Sequence, residues 1–262
     1  MEKRQNRNME PLRNAYQGIT NIIRFNWHFY AMAIAFIYLL MVFSHSIFGA
    51  YSEVAVILSL IIVVLIATSL LVSYYIYDVS ELYSFNWLSK FLVEPKNLVV
   101  NIHAGFDETS GILKSIFPET TLVVLDFYDP LKHTEISIKR ARKAYPAYLG
   151  TLSVSTSNFP KENESVDIVF VILAAHEIRS EAERVSFFKE IKRILKPQGS
   201  LVLVEHLRDW PNFIAYTLGV FHFYSRKTWY HCVNTAKLTL TNEHKITPFI
   251  HAFFITKHGN TP

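Results

Sequence analysis

The chain has 262 residues, 26 Lys and Arg against 22 Asp and Glu, a formal net charge of +4, and an apolar half. That length excludes a single minimal domain, and the one cysteine, Cys232, excludes an intrachain disulfide and agrees with a reducing compartment. The small charge excess, with no nucleic-acid motif, excludes nucleic acid as the expected partner.

Residues 1–24 form a basic segment carrying Lys3, Arg4, Arg7, Arg13 and Arg24. From Phe25 to Ser52, and again from Val54 to Tyr77, no Asp, Glu, Lys or Arg occurs. Each stretch exceeds the roughly 20 residues an α-helix needs to cross about 30 Å of hydrocarbon, and helices of a soluble core are rarely uncharged on every face for so long. Residues 25–77 are therefore predicted to form a transmembrane helical hairpin with the lipid bilayer as partner. The connection from His45 to Glu53 carries no Lys or Arg, whereas Lys90 and Lys96 follow the second span. Positive-inside bias then places both termini, and the domain that follows, on the cytoplasmic side of an inner membrane. A cleaved signal peptide fits poorly, because a second span follows at once. Residues 78–96 read as a linker. Its aromatic approach, Tyr74 to Tyr83, is either an interfacial belt or a lid in which Tyr77 and Asp78 fold over a ligand.

From residue 97 on, strand-like and helix-like stretches alternate. Leu98–Ile102 is a buried strand by its continuous apolar run, and Thr109–Phe117 a short helix stopped before Pro118. Thr121–Leu125 is a second strand, Leu131–Ala144 a basic helix, and Ala147–Val154 a weak third strand. Val166–Leu173 is a strong strand. Ser180–Leu195 is a helix opened by a capping box of Ser180 and Glu183. Lys196 to Gly199 is a turn, and Ser200–Val204 a fifth strand. At the end, Lys237–His244 and Ile246–Thr256 read as a β-hairpin turning between Lys245 and Pro248.

Such alternation predicts an α/β domain over 97–262 with a parallel sheet covered on both faces, and ligands beyond the carboxyl ends of its strands. Four of the five post-strand groups (101–107, 126–129, 174–179 and 205–209) are rich in His, Asp and Glu, which plain loops are not. The stretch NLVVNIHAGFDETS at 97–110 has the outline of a strand, turn and helix start, with one glycine, Gly105, where nucleotide-binding turns have two or three.

The layout resembles the class I S-adenosylmethionine-dependent methyltransferases, over about Leu98 to Lys257. Phe188–Val204, FKEIKRILKPQGSLVLV, is similar to that family's helix, turn and fifth-strand passage. The resemblance implies a Rossmann-like seven-stranded sheet ending in an antiparallel hairpin, with S-adenosyl-L-methionine as cofactor. It implies Asp126 on the ribose hydroxyls, since a carboxylate accepts two strong bonds from a vicinal diol. Phe127, Ser157, Asn158, Phe159 and Ala174 fall beside the adenine and ribose, and His103, Gly105 and Asp107 fall in the modified glycine turn. Gly105 stands for the middle glycine, and Asp107 or Glu108 meets the amino-acid tail. The pattern, with HAGFDETS, AAHEIR and EHLRD, also resembles a bacterial group of membrane-attached methyltransferases associated with aryl polyene and flexirubin-type secondary metabolism.

His176 and His206, just after strands four and five, are the candidate bases. The adjacent acids Glu177 and Glu205 are not automatically coupled to them, because neighbours on a strand end point apart. His206 is expected to govern turnover and His176 to affect cofactor binding as well. Arg208, Tyr216, His222 and Tyr224 are candidates for a slot that takes a small lipophilic, aromatic acceptor. No metal-ligand spacing is recognised among the histidines. A second copy of the chain is left open as a partner. The alternative to an enzyme is an inactive methyltransferase-like scaffold at the membrane.

Overall fold

A computed structural model describes residues 13–91 and 97–257; Lys3, Arg4, Arg7 and Lys96, part of the charge reading above, lie outside them. Two long helices come first, α1 (Gln17–Val42) and α3 (Glu53–Tyr74), joined by the short α2 (Ser44–Phe48) and a 3-10 turn, Gly49–Tyr51. The start of α1 crosses the end of α3 at Gly18, where a Cβ would lie 2.3 Å from Tyr77 Cβ. Only glycine lets the two backbones approach this closely. Asp78 fixes the same crossing: its carboxylate accepts the Gly18 N–H at 2.7 Å and the Ile19 N–H at 2.8 Å, so it caps α1 from across the hairpin. Gly18→Ala is expected to destabilise the protein by about 1–3 kcal/mol through overpacking, seen as a lower thermal midpoint in detergent. An unchanged midpoint would mean the crossing is slack.

Both long helices are long and apolar enough to cross a membrane, and only 11% of each apolar window is buried. A helix of a soluble core would be mostly covered; here Ile34, Tyr38 and Leu60 are more than half exposed. α3 ends in a π-helical turn, Tyr75–Val79, closed by the bond from Ser80 N–H to Tyr75 C=O at 2.8 Å. Such wide turns concentrate at functional sites.

The segment after it is not a loose linker. Leu82, Phe85, Trp87 and Leu88 are buried beneath the sheet, with Phe85 edge-on to Phe170 and Trp87 to Phe254. Residues 80–88 thus belong to the domain core, which corrects the expectation of a linker or lid; their apolar side chains cover a sheet face that would otherwise be wet.

The sheet has seven strands: β1 (Leu98–His103), β2 (Thr121–Asp126), β3 (Leu152–Ser153), β4 (Val166–Ile172), β5 (Leu195–His206), β6 (Thr239–Thr247) and β7 (Ile250–Thr256). Their order is β3-β2-β1-β4-β5-β7-β6, parallel through β5 and antiparallel at β7 and β6. The order reverses between β1 and β4, which puts the ligand crevice beyond His103 and Ile172. α4 (Ser110–Ile116) and residues 80–88 cover one face; α6 (Glu181–Ile194) and α8 (Arg226–Thr235) cover the other with Phe187, Phe188, Trp229 and Cys232.

Several boundaries differ from the sequence reading. α5 is only Ile136–Ala144, and β3 is two residues. Lys196–Gly199 is a bulge rather than a free turn: β4 pairs Val166 with Leu195 and then Ile168 with Ser200. The last hairpin turns at 248–249, at the end of the expected Lys245-to-Pro248 stretch, because Thr247 Oγ1 accepts the N–H groups of Phe249 and Ile250 at 3.1 and 3.0 Å. α7 (Trp210–Tyr216), capped by Asp209 on the Asn212 N–H, and α8, capped by Ser225 on the Thr228 N–H, were not predicted.

Candidate functional site

A cavity of about 1050 Å³ lies between the hairpin and the strand ends. Asn21, Phe25, Phe29, Ile66 and Ser73 wall it from α1 and α3; His103, Glu108, His176 and His206 wall it from the sheet; Tyr216 and His222 close it.

At its floor the two expected bases are in different states. His206 is buried, with Nδ1 3.0 Å from Asn212 Oδ1 and Nε2 2.8 Å from Tyr77 Oη. The Asn212 amide nitrogen donates to Asp209 and to Phe249 C=O, so its oxygen accepts from His206 and leaves Nε2 to accept the tyrosine proton. The ring stacks on Phe223 at 4.5 Å. Burial drives its pKa down to about 3. A neutral, doubly engaged imidazole of that basicity is a poor proton acceptor, which corrects the expectation that His206 is the base.

His176 pairs with Glu205, the acid beside the other histidine in sequence. Its Nδ1 lies 2.7 Å from Glu205 Oε2, and its N–H donates to Oε1 at 3.2 Å. Leu173 makes this possible by taking φ +50 at the end of β4, a rare conformation for leucine that turns the chain sharply into the 3-10 turn Ala175–Glu177. Burial opposes charging His176, but Glu205 and Glu177 outweigh it and hold its pKa up at about 10. His222 is likewise raised against its burial by Glu135 and Glu177, and Glu177, though buried, is held far below the usual carboxylate range by the two histidines. At neutral pH His176 is thus an imidazolium, suited to holding an oxyanion rather than to taking a proton. A folded-state pKa above the unfolded 6.5 means its stabilisation is complete below about 6.5 and lost as pH rises through about 10. The thermal midpoint of chelator-washed protein is expected to fall across that interval, with His176→Gln removing the slope. An equal slope in that variant would assign it to other groups.

The cofactor candidates divide. His103 lines the cavity, with Nδ1 accepting the Gly105 N–H at 3.1 Å and its buried Nε2 unpartnered. Gly105 has φ +93, which glycine alone adopts without strain. Asp107 turns Oδ1 onto the Thr109 and Ser110 N–H groups at 2.9 Å, starting α4, while Oδ2 is buried and unpartnered. Asp126 accepts the Tyr128 N–H at 2.9 Å through Oδ1 and Arg142 Nη1 at 2.5 Å through Oδ2. Ser157 and Asn158 are exposed, Ala174 is buried, and Phe127 and Phe159 pack into the core around Phe187.

Four of the expected ligand-binding side chains are engaged in bonds within the protein. Asp78 is a helix cap. Glu108, offered for the amino-acid tail, instead takes Arg13, Gln17, Asn21 and Tyr83. Arg208 ties down the C=O groups of Phe221 and Phe223, and Tyr224 stacks under Arg184 and bonds Arg179 C=O, so neither lines the cavity. Tyr77, Tyr216 and His222 do line it. The sequence reading missed the His176–Glu205 pair and Arg142; only β4–β5 pairing and the position of α5 reveal them.

A seven-stranded sheet of this order, with an acid ending β2 and a glycine turn after β1, has the strand arrangement of the class I methyltransferase fold. Residues 120–203, less than half of the chain, match a family described as "Methyltransferase domain". A stretch of 139 residues is 27% identical to an uncharacterized methyltransferase-like protein of Schizosaccharomyces pombe, covering 51% of this chain and 50% of that one. Another of 134 residues is 29% identical to a highly reducing polyketide synthase of Pyrenophora dematioidea, covering 48% of this chain and 5% of that one. The chain therefore spans half or less of the curated relatives it matches. A SAM-dependent methyltransferase from Aquifex aeolicus is 15% identical over 68% of this chain and 92% of its own, with a TM-score of 0.49. The match over residues 120–203 supports S-adenosylmethionine as the cofactor. The residues present fit that group: a glycine turn at positive φ and unpartnered, buried polar atoms on Asn101, His103 and Asp107 lie where it would bind.

Proposed function

We propose that the protein is a membrane-bound S-adenosylmethionine-dependent methyltransferase acting on a small, flat, lipophilic acceptor at a phenolic or enolic oxygen or the carbon conjugated to it. One observation carries this: a single cavity has apolar walls from two membrane-length helices and a floor of charged strand-end residues. An acceptor dissolved in lipid meets the first and reacts at the second. The hairpin crosses an inner membrane, with both termini and the domain on the cytoplasmic side.

When bound, the cofactor supplies an activated methyl group, so the protein need only align the acceptor and stabilise its charge. Phe25, Phe29 and Ile66 hold the flat body of the acceptor. His176 faces its oxygen, and an imidazolium there favours the ionised acceptor, since a phenol's ordinary pKa is about 10. Tyr77, fixed by His206, closes the side toward α3.

Methyl transfer by the full chain in nanodiscs, to a long-chain phenol and to a sulfonated phenol with the same ring, tests the assignment. The lipophilic acceptor is expected to win by at least tenfold in kcat/KM, and the protein to stay in membranes through an alkaline wash. Equal use of both phenols would sink the lipid-facing acceptor. Arg142 favours a second reading, an inactive scaffold, because its guanidinium holds the Asp126 carboxylate. Calorimetry with S-adenosylhomocysteine separates the two; no binding at millimolar ligand would select the scaffold.

A further inference from the structure

The two imidazoles at the cavity floor are oriented alike. His176 is held through Nδ1 by Glu205 Oε2 at 2.7 Å, and His222 has Nδ1 3.1 Å from Glu135 Oε1. The two Nε2 atoms converge on one oxygen, Glu177 Oε1, at 3.3 and 3.4 Å, with Arg179 Nη2 3.2 Å from the Nε2 of His222. One ligand atom from each of His176, Glu177 and His222 lies within 4.8 Å of the others. Two ligands of a tetrahedral ion with bonds of about 2.0–2.1 Å stand about 3.3–3.4 Å apart. Histidines that ligate metals characteristically carry a carboxylate on the opposite nitrogen; His176 does, and His222 Nδ1 is shared between Glu135 Oε1 at 3.1 Å and Arg179 Nη2 at 2.6 Å.

We propose that His176 Nε2, His222 Nε2 and Glu177 Oε1 bind one divalent transition-metal ion of the zinc class, whose open position faces the cavity. Charge supports it. Glu135, Glu177 and Glu205 bring three negative charges, and Arg179, whose Nη2 is 3.2 Å from Glu135 and 2.6 Å from His222 Nδ1, brings one positive. The remaining two negative charges are balanced either by protons on both imidazoles or by one divalent cation. Binding thus releases protons from the ring nitrogens to solvent and weakens as pH falls. Glu205, with no exposed surface, needs a positive charge on its histidine, which either a proton or a bound cation supplies. In the metal-bound form the ion takes over from the imidazolium the positive charge offered to the acceptor oxygen, as a Lewis acid at its open position; that role alone rests on the proposed acceptor.

Chelator-treated, full-length protein in detergent is titrated with cobalt(II) chloride, read by visible absorption, and with zinc chloride by calorimetry. S-adenosylhomocysteine binding serves as the folding control. One equivalent of cobalt with the intense bands of a four-coordinate ion is expected, with proton release. His176→Gln and His222→Gln are expected to lose at least 100-fold in affinity, and Glu205→Gln about 10–100-fold, while Arg179→Gln retains binding. No metal uptake by protein that still binds S-adenosylhomocysteine would overturn the site and leave the methyltransferase assignment standing. So would His176→Gln and His222→Gln variants that bind cobalt as the parent does.

Discussion

Replacing His176 by alanine is expected to cut kcat by at least 100-fold while S-adenosylhomocysteine affinity stays within about threefold. The side chain lines the cavity and is bonded to a fully buried carboxylate, with its Nε2 3.3 Å from Glu177 Oε1. Removing one preorganised donor to a developing oxyanion costs about 10²–10³ in rate. His176 bonds Glu205 and Glu177 rather than the turn after β1, so cofactor binding should survive. His206→Ala makes the contrast. It removes the partner of Tyr77 and the stack on Phe223, and should lower stability with less than a tenfold change in kcat. Initial rates and calorimetry on both variants decide the matter. A greater kcat loss in His206→Ala would restore His206 to the central place that sequence alone assigned it.

That reversal shows what the chain makes legible. The hairpin was readable because two uncharged runs of membrane length need no tertiary information. Five parallel strands and a terminal antiparallel pair were readable from apolar runs punctuated by turns. Pairings across strands were not. Glu205 stands beside His206 in sequence but serves His176, because β4 and β5 lie side by side and Leu173 turns the chain back toward β5. Asp78 looked like a ligand residue because a carboxylate after a span suggests one; its bonds to Gly18 and Ile19 depend on how α1 crosses α3. α8 escaped detection because RKTWYHCVNT has scant helix propensity and is helical through Trp229, Cys232 and Val233 packing on the sheet. Local composition reports which residues sit at strand ends, and topology decides which of them meet.

Asp126→Ala is expected to weaken S-adenosylhomocysteine binding by at least 100-fold without unfolding the domain. Asp126 ends β2 in register with His103 at the end of β1, beside the order reversal in the sheet, and is buried. A ribose diol on this carboxylate makes two charge-assisted bonds of about 1.5–3 kcal/mol each. Against that stands Arg142, which bonds Oδ2, donates to Gly105 C=O at 3.3 Å, and lies over Tyr128. Its side chain is 36% exposed, so releasing it costs little; partly exposed pairs contribute about 0–1 kcal/mol. The diol therefore outcompetes the guanidinium, and Arg142→Ala should bind as tightly as the parent or more so. The Tyr128 N–H bond, about 1 kcal/mol, is lost in Asp126→Ala, so a thermal melt must accompany the titration. If folded Asp126→Ala binds like the parent, the diol is held elsewhere and Asp126 serves only to seat Arg142. If Arg142→Ala loses affinity instead, the guanidinium is itself part of the cofactor site.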